Sequence, residues 1–417
     1  EKMTSIIAFI FVFGVLVTVH EFGHFIAAKR AGVLVREFSI GMGPKILRFN
    51  RHHTAYTIRI LPVGGYVRMA GMDEEADLEP GQRVRLLTNE NDIVTQIDTQ
   101  VDVAGQGIAF NVDHADLVDD LVLVGYLENN DAMHRMRVDR EATIIEKDGT
   151  TLQVAPRETW FQSAKVWKRM VINIAGPLMN FILALIVFSG LGFTLPAVNL
   201  NEPIVGHVQD NMPAKSAGIK TGDRITAIND TKIHEWADIA NAISTNQGET
   251  VNVKVSRQDQ QRNFKLTPKT ISENGQETHL LGIEIQMHKD FNSRLKYGFV
   301  QTLDTTKRVL YALSHLFVGG FSLDKLGGPV SIAKATSSVA QTGFINILGF
   351  MALLSINLGI MNLLPIPALD GGKIILNLLE LIRRKPLPAS FETGVTIVGA
   401  IFMVLLMLAV TVNDILR

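Results

Sequence analysis

Apolar and polar positions divide the chain into four long apolar runs, at residues 6–28, 170–196, 344–369 and 395–412, separated by mixed segments. A helix needs roughly 20 apolar residues to cross a bilayer. The pattern therefore predicts four transmembrane segments, within 3–32, 165–196, 343–372 and 391–416. Between the first two, "VREFSIGMGPKILRF" and "AYTIRILPVGGYVRMAG" are β-rich with glycine punctuation, which predicts strands close to the membrane over 33–73. Residues 74–158 are more polar and mix acidic turns with short strands, the pattern of a β-rich insertion. Residues 203–287 carry short strands, one helical stretch and a tight "TGD" turn, the pattern of a compact α+β module. Over 293–320, Leu295, Phe299, Leu303, Leu310, Leu313 and Phe317 fall on one broad face. That predicts an amphipathic helix lying in the membrane interface or packed on the module.

Charge orients this arrangement. Lys29, Arg30 and Arg36 follow the first run; Lys165, Lys168 and Arg169 precede the second; Lys373, Arg383, Arg384 and Lys385 lie between the third and fourth. The opposite ends are nearly neutral. By the positive-inside rule the N-terminus lies outside, 29–169 and 370–394 lie in the cytoplasm, and 197–343 lies outside. Basic residues follow the first run rather than lead it, which argues against a cleaved signal peptide. The expected fold class is a polytopic α-helical protein of the cell membrane, with four transmembrane helices, a membrane-associated β-sheet, a cytoplasmic β-rich insertion and one extracytoplasmic α+β domain. The net charge of −1 over 417 residues gives no bulk electrostatic case for nucleic acid. The chain has no cysteine, so disulfides and thiolate metal sites are excluded and any metal must be held by His, Asp or Glu.

One stretch breaks the apolar pattern. "HEFGH" places His20, Glu21 and His24 inside the first run. Each ionisable group at the centre of a membrane helix costs on the order of 2.5–3.5 kcal/mol, so three idle ones would be expensive. Residues i and i+4 share a helix face. His20 and His24 can thus bind one zinc ion together, with Glu21 placed to act as general base on a water beside them. The bland alternative is a buried, hydrogen-bonded His/Glu cluster. A catalytic zinc usually takes three protein ligands, and the best third candidate is Asp370 in "NLLPIPALDGG". Pro365 and Pro367 interrupt the third run, and irregular backbone at that depth is tolerated only where protein or a water-filled cavity satisfies it. Asp370 and His20 should also lie at similar depth. The bland alternative here is a turn after a helix. His52, His53, His114 and His134 have no partner at ligand spacing and read as surface histidines.

A peptide bond in a membrane helix is hidden by i to i−4 hydrogen bonds, so a substrate must unwind before it is cut. The strand around 56–69 could hold the unwound segment by β-addition. Gly64 and Gly65 would allow close backbone approach, and Tyr66 lies beside them; these three are the candidate substrate-binding residues of the strand.

These residues resemble the site-2 protease family of intramembrane zinc metalloproteases. "HEFGH" matches its first motif, and "NLLPIPALDGG" (362–372) matches its N-x-x-P-x-P-x-L-D-G motif. "AGPLMNF", "GYVRMAG" and "LGGPVSIA" are similar to further family segments. "SAGIKTGDRITAIND" (216–230) resembles a PDZ domain. The single PDZ-like stretch and the 74–158 insertion resemble the Gram-positive branch of the bacterial members. The resemblance implies His20, His24 and Asp370 as zinc ligands and Glu21 as base, and it implies that Asn362 holds the substrate backbone or the oxyanion. It also implies, as substrates, single-span membrane proteins such as anti-sigma factors trimmed by a first cut, or signal-peptide remnants. The PDZ-like module would bind a freed C-terminal carboxylate or exclude bulky ectodomains.

Two rival readings come from other classes. A catalytically inactive PDZ-containing membrane scaffold or chaperone would have no use for Glu21 beside two ligands. A metal-ion transporter would want polar residues on several spans, and the second and fourth runs offer almost none.

Overall fold

The structure is a computed structural model that describes residues 2–71, 78–100, 106–128, 130–246, 248–273, 276–318 and 327–416. The expected boundary at 73/74 and the last residues of the amphipathic helix, 319–320, lie outside the described residues. In chain order the elements are α1 (Lys2–Ala31), β1 (Val35–Arg51), β2 (Thr54–Met69), β3 (Arg83–Thr88), β4 (Val94–Asp98), β5 (Ile108–Asp116), β6 (Val122–Leu127), β7 (Asn130–Ile145), β8 (Thr151–Gln153) and α2 (Val166–Thr194). They continue with β9 (Val205–Val208), α3 (Pro213–Ala217), β10 (Arg224–Ile228), β11 (Thr231–Lys232), α4 (Trp236–Thr245), β12 (Val251–Arg257), β13 (Gln260–Leu266), β14 (Lys269–Glu273), β15 (Gln276–Leu280) and β16 (Ile283–Ile285). The last elements are α5 (Phe291–Val318), α6 (Pro329–Gln341), α7 (Phe344–Leu363), α8 (Asp370–Arg383) and α9 (Ala389–Leu416). Among the described residues four helices are long and apolar enough to cross a membrane: α1, α2, α7 and α9. The chain divides into two compact units, one of Glu1–Ala184 with Arg308–Arg417 and one of Leu185–Lys307.

In the first unit, α1 ends where Gly32 turns into the left-handed region at φ 87°, with Lys29 and Arg30 in the last turn against the helix dipole. The chain then enters the β1–β2 hairpin. His52 and His53 form its two-residue turn, both with positive φ, as a tight hairpin requires. The register folds this hairpin over itself. Residues 35–40 pair on one side with 65–69 and on the other with 55–58, and 55–58 pair in turn with 47–50. The sheet thus has four short rows. The row 55–58 is bonded on both sides, whereas 65–69 has no second strand partner among the described residues. Glu37, buried at 2% exposure, locks the rows together. It accepts hydrogen bonds from Thr57 Oγ1 at 2.7 Å and Arg59 at 3.0 Å, and Arg59 also bonds the Tyr66 hydroxyl at 2.5 Å. A cluster of Ala28, Val33, Val35, Met69, Phe161 and Ile172 joins the end of α1, the hairpin and α2, which holds the 65–69 row beside α1.

The insertion is a six-stranded sheet in the order β4-β3-β5-β6-β7-β8, and a parallel β4–β7 pairing closes five of its strands into a barrel. Phe110, Leu86, Ile97 and Leu123 fill the interior. Closure leaves these five strands without an open edge, and β8 pairs with β7 alone.

The third apolar segment is not one helix. The helix α7 stops at Leu363, residues 364–369 are irregular, and α8 starts at Asp370. Much of the segment 370–394 is therefore an amphipathic helix. A further helix, α6, which no apolar run announced, packs against α1, and Asp414 of α9 accepts hydrogen bonds from the Ser331 backbone N–H at 3.0 Å and hydroxyl at 2.7 Å near its N-terminus.

The second unit has a four-stranded sheet in the order β11-β10-β12-β13, the pairs β14–β15 and β9–β16, and a core including Val205, Ile225, Ile228, Ile239, Val253 and Val255. Its "TGD" turn is held from below. Asp223 is fully buried, accepts two hydrogen bonds from Arg257 at 2.6 and 2.7 Å, and accepts a third from the Lys220 backbone N–H at 2.9 Å. Phe291, Leu295, Phe299 and Leu303 of α5 are exposed at i+4 spacing. Removing one partner of a buried ion pair costs roughly 3–5 kcal/mol. Asp223→Ala should therefore destabilise the separately expressed 198–288 module by about that amount in urea unfolding; a loss under about 1 kcal/mol would show the pair to be dispensable.

Candidate active site

Helix periodicity brings His20 and His24 onto one face of α1, both nearly buried. Their Nε2 atoms lie 3.2 Å apart. Asp370 Oδ2 lies 3.2 Å from His20 Nε2 and 3.3 Å from His24 Nε2. These three form the one group among the described residues whose His, Asp or Glu atoms converge closely enough to hold a metal ion. The distances suit zinc. With ligand bonds of 2.0–2.1 Å, two corners of a tetrahedral site are about 3.3 Å apart. Asp370 Oδ2 is moreover a buried acceptor without a hydrogen-bond donor, a costly arrangement for a carboxylate unless a cation faces it.

Asp370 reaches this position because α7 is broken. The segment containing Pro365 and Pro367 cannot continue the helix, and Ala368 adopts φ 80°. The two glycines after Asp370 make the return possible. A Cβ on Gly371 would run into the Leu363 and Leu364 carbonyls, and one on Gly372 into the Ile366 carbonyl. The carboxylate thus sits in the first turn of α8, where helix N–H groups favour negative charge.

Helix α2 supports both histidines from behind. His24 Nδ1 donates to the Ile172 carbonyl at 2.8 Å, which leaves Nε2 with its lone pair toward the cluster. Asn180, fully buried, places its Nδ2 3.1 Å from His20 Nδ1. Gly176 lies between them, and any Cβ there would strike His24 Nε2 and approach His20 Nε2 at 2.9 Å. Asn180 in turn is held by Ser355 of α7, whose hydroxyl donates to its backbone carbonyl at 2.8 Å. Of these residues the sequence reading had only the segment "AGPLMNF", without roles; Gly176 and Asn180 four residues apart, with Ile172 four residues before Gly176, were the available signal.

Glu21 follows His20 and is only partly buried. A Cβ built on Gly65 would lie 3.7 Å from Glu21 Cγ and 3.6 Å from Val17 Cγ1, so the row 65–69 starts beside the glutamate. Gly64 takes φ 84°. The Tyr66 side chain is committed to the Arg59 bond. Burial and then the nearby Glu37 carboxylate push its hydroxyl up to about 12, so it stays neutral. Asn362 donates from Nδ2 to the Leu358 carbonyl at 3.0 Å, one turn back on α7, and makes no hydrogen bond to the three clustered residues among the described residues.

The geometry can hold a metal, place a carboxylate beside it and offer an extended backbone edge within reach. Comparison with known proteins identifies the family. The signature of Peptidase family M50 matches residues 8–406. The regulator of sigma-W protease RasP of Bacillus subtilis is 43% identical, covering 100% of this chain and 99% of its own length. The probable protease eep of Enterococcus faecalis is likewise 43% identical, with the same coverage. A putative zinc metalloprotease of Staphylococcus aureus is 42% identical, again over 100% of this chain and 99% of its own. The chain belongs to peptidase family M50, the site-2 proteases, and is an intramembrane zinc metalloprotease.

Proposed function

We propose that His20, His24 and Asp370 are the zinc ligands, that Glu21 is the general base, and that the substrates are single-span membrane segments held as an added strand along residues 65–69. The observation that carries this reading is the convergence of two Nε2 atoms and one unpartnered carboxylate oxygen at 3.2–3.3 Å. Zinc bound there supplies a Lewis acid that polarises the scissile carbonyl and lowers the pKa of a water. Glu21 takes a proton from that water as it attacks and delivers the proton to the leaving amine. His20, His24 and Asp370 would hold the ion through two imidazole nitrogens and one carboxylate oxygen, a donor set that suits catalytic zinc.

Of the two edge rows of the hairpin, 65–69 and 47–50, the extended row 65–69 is the one that starts beside Glu21. It offers backbone N–H and C=O groups to a peptide that has left its helix. Unwinding is easier where the substrate carries Gly or Pro, which weaken a helix by roughly 1 and 3 kcal/mol relative to Ala. The relative named as a regulator of sigma-W favours anti-sigma factors, trimmed by an earlier cut, as one substrate class, with signal-peptide remnants as a second. Asn362 is proposed to steady the substrate backbone or the oxyanion. It stands on the last turn of α7, before the break that leads to Asp370. The distribution of Lys and Arg supports an orientation with the N-terminus and the PDZ-like module outside and the barrel in the cytoplasm, and the exposed apolar face of α5 suits a helix lying in the interface.

The purified protein should contain about one zinc per chain. His20→Ala, His24→Ala and Asp370→Ala should each lose it by elemental analysis, while Glu21→Gln should keep it and lose roughly 10²–10⁴-fold in cleavage rate. Zinc retained by Asp370→Ala, or normal cutting by Glu21→Gln, would reassign that residue. Gly65→Val should slow cleavage by about tenfold or more through misplacement of the peptide, with zinc content unchanged; full activity in a folded variant would remove the strand from the account. Because native cysteine is absent, single cysteines report topology cleanly. One in 203–287 should react with an impermeant thiol reagent outside intact cells and one in 106–128 should not; the reverse pattern would invert the orientation.

A further inference from the structure

Asn180 carries an internal conflict that the metal site resolves. Its carboxamide is fully buried. The nitrogen Nδ2 lies 3.1 Å from His20 Nδ1, and Oδ1 has no donor. If Nδ2 donates to Nδ1, His20 must carry its proton on Nε2. That proton would point at His24 Nε2 and Asp370 Oδ2, the atoms that converge at 3.2 Å, and would occupy the lone pair a ligand needs. The two ends of a carboxamide have nearly the same shape and are assigned from their hydrogen-bond partners. Turned by half a rotation, Oδ1 accepts from His20 Nδ1–H, and Nε2 keeps its lone pair.

We propose that Asn180 is the positioning residue for His20: its Oδ1 accepts the Nδ1–H hydrogen bond, fixes the tautomer and aims Nε2 at the zinc. This rests on the reading that His20 is a zinc ligand. The arrangement parallels that of His24, whose Nδ1–H goes to the Ile172 carbonyl. Both acceptors belong to α2, eight residues apart, so one helix sets the tautomers of both imidazoles. Gly176 lies midway and leaves the space in which the rings meet. The Ser355 hydroxyl, by bonding the Asn180 backbone carbonyl, ties this support to α7, the helix that leads to Asp370. Outer partners that orient a ligating imidazole typically contribute 10–100-fold to metal affinity.

The test is zinc affinity of the full-length protein in detergent, measured by competition with a graded series of chelators, with cleavage rate recorded in parallel. Asn180→Leu, which keeps the volume and removes the acceptor, should weaken zinc binding about 10–100-fold. Asn180→Asp, which can only accept, should retain affinity within a few-fold. Should Asn180→Leu fail to elute as the parent does, Asn180→Ala is read the same way. Equal loss in the Asp and Leu variants would mean that residue 180 donates to His20, and would overturn the proposal. Unchanged affinity in the folded Leu or Ala variant would overturn it as well. His20→Ala in the same series separates the two levels: if it retains zinc, the ligand assignment itself falls, whereas zinc loss there with none in Asn180→Leu removes only the role of Asn180.

Discussion

The structure depends on one constraint: two imidazoles within an apolar helix and a buried carboxylate at the start of an amphipathic one must satisfy one another. Each is costly alone in a low-dielectric environment. Held at 3.2–3.3 Å around a common point, they can share a cation, so that each has a partner. Everything near them serves that convergence. The break between α7 and α8 brings a carboxylate back toward α1, and Gly371 and Gly372 let the returning backbone press against α7. Gly176 leaves the space in which the rings meet, and Gly23 lets α1 approach the Ala175 carbonyl of α2 closely.

A second requirement shapes the neighbouring sheet. Hydrolysis of a helical segment needs an extended peptide, and an extended peptide in an apolar setting needs hydrogen-bond partners. The folded-over hairpin offers the edge row 65–69, its other edge being 47–50, and pairs the two inner rows on both sides. Glu37, Thr57, Arg59 and Tyr66 bind its rows into one piece. The row 65–69 starts at Gly65 beside Glu21, so the proposed base and the proposed peptide platform share a boundary.

Much of the site could be read in the sequence because it is local. His20 and His24 announce themselves by i, i+4 spacing, and their presence in an apolar run makes an idle role expensive. Asp370 was readable because the prolines before it forbid a continuous helix. What could not be read depends on how separate helices meet. Asn180 and Ile172 support the histidines from 160 and 148 residues away along the chain, and no spacing rule connects them. The helix α8 is too short and too charged to stand out as an apolar run, although Ile374, Leu378, Leu381 and Ile382 lie at helical spacing. The barrel's closure rests on a parallel pairing between β4 and β7, which alternation within a strand does not encode. The strand edge narrowed from 56–69 to 65–69 because the register pairs 55–58 twice.

The central claim is that His20, His24 and Asp370 hold one zinc ion within the membrane-embedded part of the chain. X-ray absorption at the zinc edge of the purified protein tests it most directly. The account predicts a four-coordinate site with two imidazoles, no sulfur and light-atom distances of about 2.0–2.1 Å, and loss of one imidazole contribution in His24→Ala. A spectrum with a single imidazole, or one unchanged by His24→Ala, would contradict it.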